Sequence, residues 1–263
     1  MNLSTVTAAY FSPTDTTKKA VEAIAQGISP DFKRLDLTPA ASREQSYSFG
    51  PEDLLVIGAP VYGGRIPLQE AEAIRAIHGS CTPVVLAAVY GNRAYEDALL
   101  ELRDLLSAQG FIPVAAGAFI GEHSFGNVIA AGRPDQDDLD KCADFGRRIA
   151  SQLKEASLGD FSLQLPGQYP YKARGAQSGL VHQVSGDCIR CMRCASVCPT
   201  GAISREDPAE KDMSLCIKCQ ACAKKCPKGA RIVPDGMIET MVEKLSAMCG
   251  PGRKEPELFF GRK

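Results

Sequence analysis

The first half of the chain alternates apolar runs with stretches whose apolar residues recur at helical spacing. STVTAAYF (4–11) is a β-prone run. TTKKAVEAIAQGI (16–28) follows and places Ala20, Ile24 and Ile28 at helical spacing, with Gly27 near its end. FKRLDL (32–37) alternates like a strand near a sheet edge. DLLVIGAPV (53–61) and PVVLAAVY (83–90) are apolar throughout, as strands buried on both faces are. PLQEAEAIRAI (67–77) and AYEDALLELRDLLSAQG (94–110) predict amphipathic helices, the second closed by Gly110. FIPVAAGAFIG (111–121) predicts a fifth strand, and DQDDLDKCADFGRRIASQL (135–153) a last helix.

This alternation predicts an α/β domain with a parallel sheet covered on both faces. Such sheets bind ligands at the carboxyl ends of their strands, where the strand order reverses. The loops to inspect follow AAYF, VIGAP and LAAVY. After Leu153 the pattern fades into LGDFSLQLPGQYPYKARGAQSGL (158–180), a Gly-, Pro- and polar-rich linker. Within it, Tyr169 and Tyr171 admit two readings: a role between domains, or simple membership of a rigid proline-containing strap. A cysteine-rich region follows, then a short helix in DGMIETMVEKLSAM (235–248). The basic tail GPGRKEPELFFGRK (250–263) is expected to be loosely ordered. The expected division is 1–157, linker 158–182, cysteine domain 183–236, and C-terminal helix and tail 237–263.

A formal net charge of -1 over 263 residues leaves no basic excess for nucleic acid or a membrane surface. No apolar stretch approaches the roughly 20 residues of a membrane helix, and MNLSTVTAAYFS lacks the features of a secretory signal. A cytoplasmic location is expected. The cysteines change the picture. There are 11, and eight fall between Cys188 and Cys226. Clustered thiols in a reducing compartment favour metal over disulfides. Cys81, Cys142 and Cys249 are scattered and read as buried or idle thiols.

The eight cysteines form a repeat. Cys188, Cys191, Cys194 and Cys198 recur at one common offset as Cys216, Cys219, Cys222 and Cys226, and Pro199-Gly201-Ala202 recurs as Pro227-Gly229-Ala230. An internal duplication explains this. Each half reads C-x2-C-x2-C-x3-C-P. Three closely spaced thiolates wrap one [4Fe-4S] cluster, and the fourth, before the proline, reaches the other cluster. The expected ligand sets are therefore Cys188, Cys191, Cys194 with Cys226, and Cys216, Cys219, Cys222 with Cys198. Paired zinc sites are the competing reading, but zinc ribbons have no third thiol at this spacing. Arg190, Arg193, Lys218, Lys224, Lys225 and Lys228 crowd these turns as local counter-charge, as a solvated basic face, or as a surface for an acidic redox partner. Both cysteine runs, with their prolines, resemble bacterial two-cluster ferredoxins, which implies a small α+β domain and one-electron transfer.

The loop Ser12-Pro13-Thr14-Asp15-Thr16-Thr17 opens directly into a helix. Its hydroxyls and the helix N-terminus suit a phosphate. It matches neither G-x-x-x-x-G-K-[ST] nor G-x-G-x-x-G. The arrangement resembles the phosphate loop of flavodoxins, [ST]-x-T-G-x-T, which holds the phosphate of FMN. Asp15 stands where that pattern has glycine. The resemblance implies a doubly wound five-stranded parallel sheet in the order 2-1-3-4-5. It also implies that the next two strand-end loops bracket the isoalloxazine. These are Ala59, Pro60, Val61, Tyr62, Gly63 and Gly64, and then Tyr90, Gly91, Asn92, Arg93 and Tyr95, after Ser12, Thr14, Asp15, Thr16 and Thr17 at the phosphate. Aromatic faces and close backbone approach at glycine fit a flat ring.

Nearly the whole chain resembles the fused flavodoxin–ferredoxin proteins of anaerobic bacteria and archaea, called EFR1-type ferredoxins. That resemblance implies a redox protein passing electrons between two [4Fe-4S] clusters and FMN. It is read as a ferredoxin-linked flavin reductase of a small acceptor, with Arg65, Arg93 and His123 (in GEHSF) as catalytic candidates. Two alternatives stay open: a non-catalytic carrier between partner proteins, and a ferredoxin whose first domain docks partners without flavin. A ferredoxin or reductase partner, a small-molecule acceptor and a homodimer all fit this reading.

Overall fold

The computed structural model describes residues 3–125, 127–175, 182–233, 236–249 and 252–262. The elements run β1 (Thr5–Tyr10), α1 (Thr16–Ile28), β2 (Phe32–Asp36), α2 (Ala40–Arg43), β3 (Tyr47–Phe49), β4 (Asp53–Pro60), α3 (Leu68–Ile74), β5 (Ile77–Gly79), β6 (Thr82–Tyr90), α4 (Ala98–Ala108), β7 (Phe111–Ile120) and α5 (Gln136–Glu155). The cysteine region adds β8 (Gln183–Val184), α6 (Arg193–Ser196), α7 (Ala221–Lys224) and β9 (Arg231–Ile232). The chain then gives α8 (Met237–Cys249) and β10 (Glu257–Phe260).

The main sheet has the order β10-β7-β6-β4-β1-β2. Its five parallel strands keep the expected 2-1-3-4-5 order, and all their carboxyl ends lie on one edge. The all-apolar runs became β4 and β6, which are buried almost throughout. One apolar layer packs under α1 and α5 and includes Val21, Ile24, Phe145 and Ile149. The other packs under α3 and α4 and includes Ile57, Ile74, Leu99 and Leu102. A Cβ on Gly27 would lie 2.1 Å from the Ala143 carbonyl, and one on Gly146 would lie 2.1 Å from that of Ile24. Glycine at both positions lets α1 and α5 approach backbone to backbone.

Two expectations are corrected. The described part of the tail, 252–262, is ordered: β10 pairs antiparallel with β7, Leu258 opposite Gly117, and makes a sixth strand. Its apolar side chains explain this. Phe260 packs edge-on against Phe145 at 5.3 Å, and Arg148 lies over the Phe260 ring at 4.1 Å. Arg253 is held by Asp135, Asp137 and Asp138 at the start of α5. The second correction concerns the helix expected over 67–77. It stops at Ile74, and Ile77–Gly79 pairs with Tyr47–Phe49 in a small parallel sheet.

The linker is a strap along α4. The Asp97 carboxylate accepts from the Gln168 N–H at 3.0 Å and the Lys172 N–H at 2.7 Å. The Tyr169 and Tyr171 hydroxyls both donate to Asp104. Residues 176–181 of the linker lie outside the described residues. In the cysteine region β8 pairs antiparallel with β9, and α6 and α7 repeat one another, giving a small α+β unit.

Candidate functional site

The carboxyl edge of the sheet gathers the three loops singled out from sequence. The first, between β1 and α1, is fixed by its serine: Ser12 Oγ accepts from the Lys18 N–H at 2.9 Å, and the Ser12 N–H donates to Thr38 Oγ1 at 2.8 Å. Thr17 is fully buried, and its hydroxyl has no partner among the described residues. The start of α1 adds unpaired N–H groups and the positive end of the helix dipole. A buried, unpartnered hydroxyl beside that terminus fits a phosphate. Asp15 has φ 66, a conformation aspartate tolerates, and its side chain makes no cap to the helix. Its Oδ1 accepts instead from Lys225 Nζ at 2.9 Å.

The second loop is a two-residue turn. Tyr62 and Arg65 exchange backbone bonds of 2.8 and 3.3 Å, with Gly63 at φ 64 and Gly64 at φ 91. Positive φ at both positions explains the paired glycines. Val61, Gly63 and Gly64 share a cavity of about 320 Å³ with Tyr90, Gly91, Arg93 and Ala94 of the third loop. His123 and Phe125 close one side, and Met241, Lys244 and Leu245 of α8 another. The volume lies within the range of small-molecule sites. Asn92, also left-handed at φ 63, is buried, and its Oδ1 has no partner among the described residues. The cavity, with its glycines and the Tyr90 side chain on its wall, fits a flat aromatic ring.

Other residues of the expected set have different surroundings. Ala59 and Pro60 end β4, with Ala59 in the core. Tyr95 is buried 5.5 Å from the Tyr90 ring and donates to Glu257 at 2.7 Å. Burial, then the charges of Cys219 and Glu70, push the Tyr62 phenol well above its ordinary value. Arg65 forms a two-pronged ion pair with Glu101, both bonds 2.7 Å, and donates to the Lys172 carbonyl at 2.7 Å. Its guanidinium is taken up by α4 and the strap. Arg93 lines the cavity while bonded to Glu96 at 2.6 Å. His123 Nδ1 accepts from the Phe125 N–H at 3.1 Å, leaving the ring proton on Nε2. Burial, then the charges of Lys224 and Arg93, push its pKa down to about 4, so the imidazole is neutral at ordinary pH.

The fold brings each expected set of thiols together. Cys188, Cys191, Cys194 and Cys226 line one hollow. Cys198, Cys216, Cys219 and Cys222 line another. Arg190 and Met192 in one half, and Lys218 and Gln220 in the other, all have positive φ. Each such residue costs roughly 1–2 kcal/mol, and the repetition of four of them marks a backbone wrapped around something. Sulfur acceptors are already served: the Arg190 N–H donates to Cys188 Sγ at 3.4 Å and the Ala230 N–H to Cys226 Sγ at 3.3 Å. Burial pushes the Cys219 thiol up to about 12. A thiolate there needs a strong local cation, which iron supplies. The donor sets fit two [4Fe-4S] clusters.

Three contacts fasten the cysteine unit to the sheet edge. Lys225 pairs with Asp15 and Lys224 with Glu122. Arg43 Nη2 donates to the Pro199 carbonyl at 2.6 Å. Pro199 follows Cys198, and Lys225 precedes Cys226, so both contacts lie next to cluster ligands. Sequence reasoning read the two lysines as counter-charge, a solvated basic face or a surface for an acidic redox partner, and missed Arg43, Glu122, Arg231 and the α8 residues of the cavity. For the pairs no local signal exists, because the partners are far apart in sequence. Arg231 was visible as a mismatch within the repeat.

Residues 187–230 match the family model of the 4Fe-4S dicluster domain. Among curated proteins, none matches the sequence significantly. Solved structures similar to the chain include a flavodoxin from the domain Archaea, at 15% identity, covering 57% of this chain and 99% of that one, TM-score 0.41. Flavodoxin 2 from Bacillus cereus is 14% identical, with 56% and 99% covered and a TM-score of 0.40. Rubredoxin oxygen:oxidoreductase from the anaerobe Desulfovibrio gigas is 16% identical, with 59% and 37% covered and a TM-score of 0.40. Likenesses this distant say nothing about activity, and the strand order itself defines the flavodoxin-like topology. The chain is thus a flavodoxin-like α/β domain joined to a two-cluster ferredoxin-like domain. It is an electron-transfer redox protein. Among the described residues, no helix is long and apolar enough to cross a membrane.

Proposed function

We propose that the protein moves electrons within one chain between two [4Fe-4S] clusters and an FMN bound at the carboxyl edge of the sheet. In this reading it serves as a ferredoxin-linked flavin reductase of a small acceptor. The observation that carries this reading is the docking of the cysteine unit onto the edge of the sheet that holds the flavin loops, through Asp15–Lys225, Glu122–Lys224 and Arg43–Pro199. FMN, when bound, takes up one or two electrons, and each cluster takes one. Ser12, Thr14, Thr16 and Thr17 would hold the phosphate with the loop's backbone N–H groups, while Asp15 is turned to Lys225. Of the expected ring-site residues, Val61, Gly63, Gly64, Tyr90, Gly91 and Arg93 would shape the ring site. Neutral His123 offers an Nε2 proton donor at the cavity, and Arg93 a cation. Met241 and Leu245 exclude water from one wall. The resemblance to fused flavodoxin–ferredoxin proteins supports the same reading.

The test begins with protein purified without oxygen. FMN absorbance, about eight iron atoms per chain and steady turnover of small acceptors with reduced ferredoxin are expected. A protein that holds both cofactors but reduces only partner proteins is a carrier. A colourless first domain would leave a docking module and end the FMN assignment.

A further inference from the structure

The two halves of the cysteine repeat differ sharply just after their last cysteines. The offset that carries Cys198 to Cys226 carries Ile203 to Arg231. Both side chains are buried, Ile203 at 3% exposure and Arg231 at 6%. A buried guanidinium is expensive unless something anionic holds it. No carboxylate does so among the described contacts. Arg231 Nη2 donates to Cys194 Sγ at 3.1 Å and to the Pro208 carbonyl. Nη1 is buried with no partner among the described residues. The counter-charge is the thiolate set itself.

Building on the two-cluster reading, we propose that Arg231 splits the potentials of the clusters. It holds the one on Cys188, Cys191, Cys194 and Cys226 above the one on Cys216, Cys219, Cys222 and Cys198. Reduction adds one negative charge to a cluster. A permanent cation bonded to a ligand sulfur stabilises the reduced form more than the oxidised, and burial weakens the screening. Nη1 is left to donate to a sulfide of the same cluster. Isoleucine at the related position donates nothing to the other cluster; the Arg231 charge also reaches Cys222 there and Lys211 lines that hollow, so the split rests on the direct bond from Arg231 to Cys194. The step so biased is transfer of one electron between the clusters, one oxidised as the other is reduced. No bond is made or broken, and no proton is transferred. Electrons therefore collect on the first cluster, whose Cys191 is exposed.

The test is an anaerobic redox titration of the full chain with both clusters, followed by EPR. Two unequal midpoints are expected. Arg231→Met should lower the higher one by at least tenfold in the reduced-to-oxidised ratio, about 59 mV for one electron, and move the other less. Arg231→Lys, which keeps the charge but loses the fork, should give a smaller drop. Unchanged midpoints in either variant at full iron content, or an equal shift in both clusters, overturn the proposal. Fewer than about eight irons per wild-type chain would instead refute the two-cluster reading itself.

Discussion

Lys225 Nζ donates to Asp15 Oδ1 at 2.9 Å, joining the residue that departs from the flavodoxin loop pattern to the residue just before Cys226. In isolation, an aspartate in a phosphate loop repels the phosphate. Paired, it leaves the loop electrically close to neutral and anchors the neighbouring domain. The side chains are 49% and 23% exposed. Such a pair contributes at most about 1 kcal/mol, so it orients the docked unit more than it stabilises it.

Charge at the loop then predicts a cycle of FMN affinities. Asp15→Gly removes a negative charge and leaves Lys225 unpaired, so FMN should bind roughly two- to fivefold more tightly. Lys225→Gln should weaken binding by a similar factor, and the double variant should return near wild type. Fluorescence titration of flavin-free protein reads all four corners. Equal or weaker binding by Asp15→Gly would sink the assignment of this loop to the phosphate.

Arg65 is predicted to hold the fold together. Its partner Glu101 also accepts from Arg174 Nη2 at 2.7 Å and from the Ile66 N–H at 3.2 Å, so one buried carboxylate ties α4, the second loop and the strap. Arg65→Met should cost about 3 kcal/mol in denaturant unfolding, the scale for breaking a buried pair. The visible spectrum of the protein that remains folded should be unchanged. A lost flavin spectrum at unaltered stability would place Arg65 at the cofactor instead.

His123 gives stability a pH dependence. Its pKa lies at about 4 in the fold against 6.5 ordinarily, because burial, Lys224 and Arg93 disfavour the cation. Between those values the unfolded chain binds more protons, so stability falls as pH drops through that window and is fully present above it. The contribution is at most roughly 3 kcal/mol. His123→Gln should flatten this part of the profile in urea unfolding from about pH 4 to 7. A loss of equal slope in both proteins would assign it to other groups.

The sheet was legible because burial on both faces writes continuous apolar runs, as in β4 and β6, and the clusters because three cysteines at fixed spacing have few other uses. The tail was not. ELFF carries only four residues of pattern beside GPGRKEP, and its strand exists because β7 has an open edge with Phe145 beneath it. Arg65 was a candidate because its loop is proposed to hold the flavin ring, but its side chain is committed to Glu101, a partner far along the chain. Asp15 and Lys225 show the same limit, since each is readable alone and their pairing is a property of the assembled fold.

The tail should therefore matter to the first domain. Truncation after Glu255 removes β10, bares the β7 edge and uncovers Phe145. A loss of several kcal/mol is expected, on the scale of deleting a buried aromatic, with a tendency to aggregate through the freed edge. Thermal unfolding and light scattering would read both. A truncated chain of wild-type stability would mean that β10 adds nothing to the sheet.

The crossing of ligands between the halves yields the sharpest test of the cysteine sets. Cys226 lies in the second half of the repeat but lines the hollow of Cys188, Cys191 and Cys194. Cys198 lies in the first half and lines the hollow of Cys216, Cys219 and Cys222. Cys226→Ala and Cys188→Ala should therefore give the same EPR spectrum, each having lost the same cluster and about half the iron. Cys198→Ala should match Cys216→Ala instead. If Cys226→Ala resembled Cys216→Ala, each half would bind its own cluster, and the proximity of Arg231 to Cys194 would lose its bearing on Cys226.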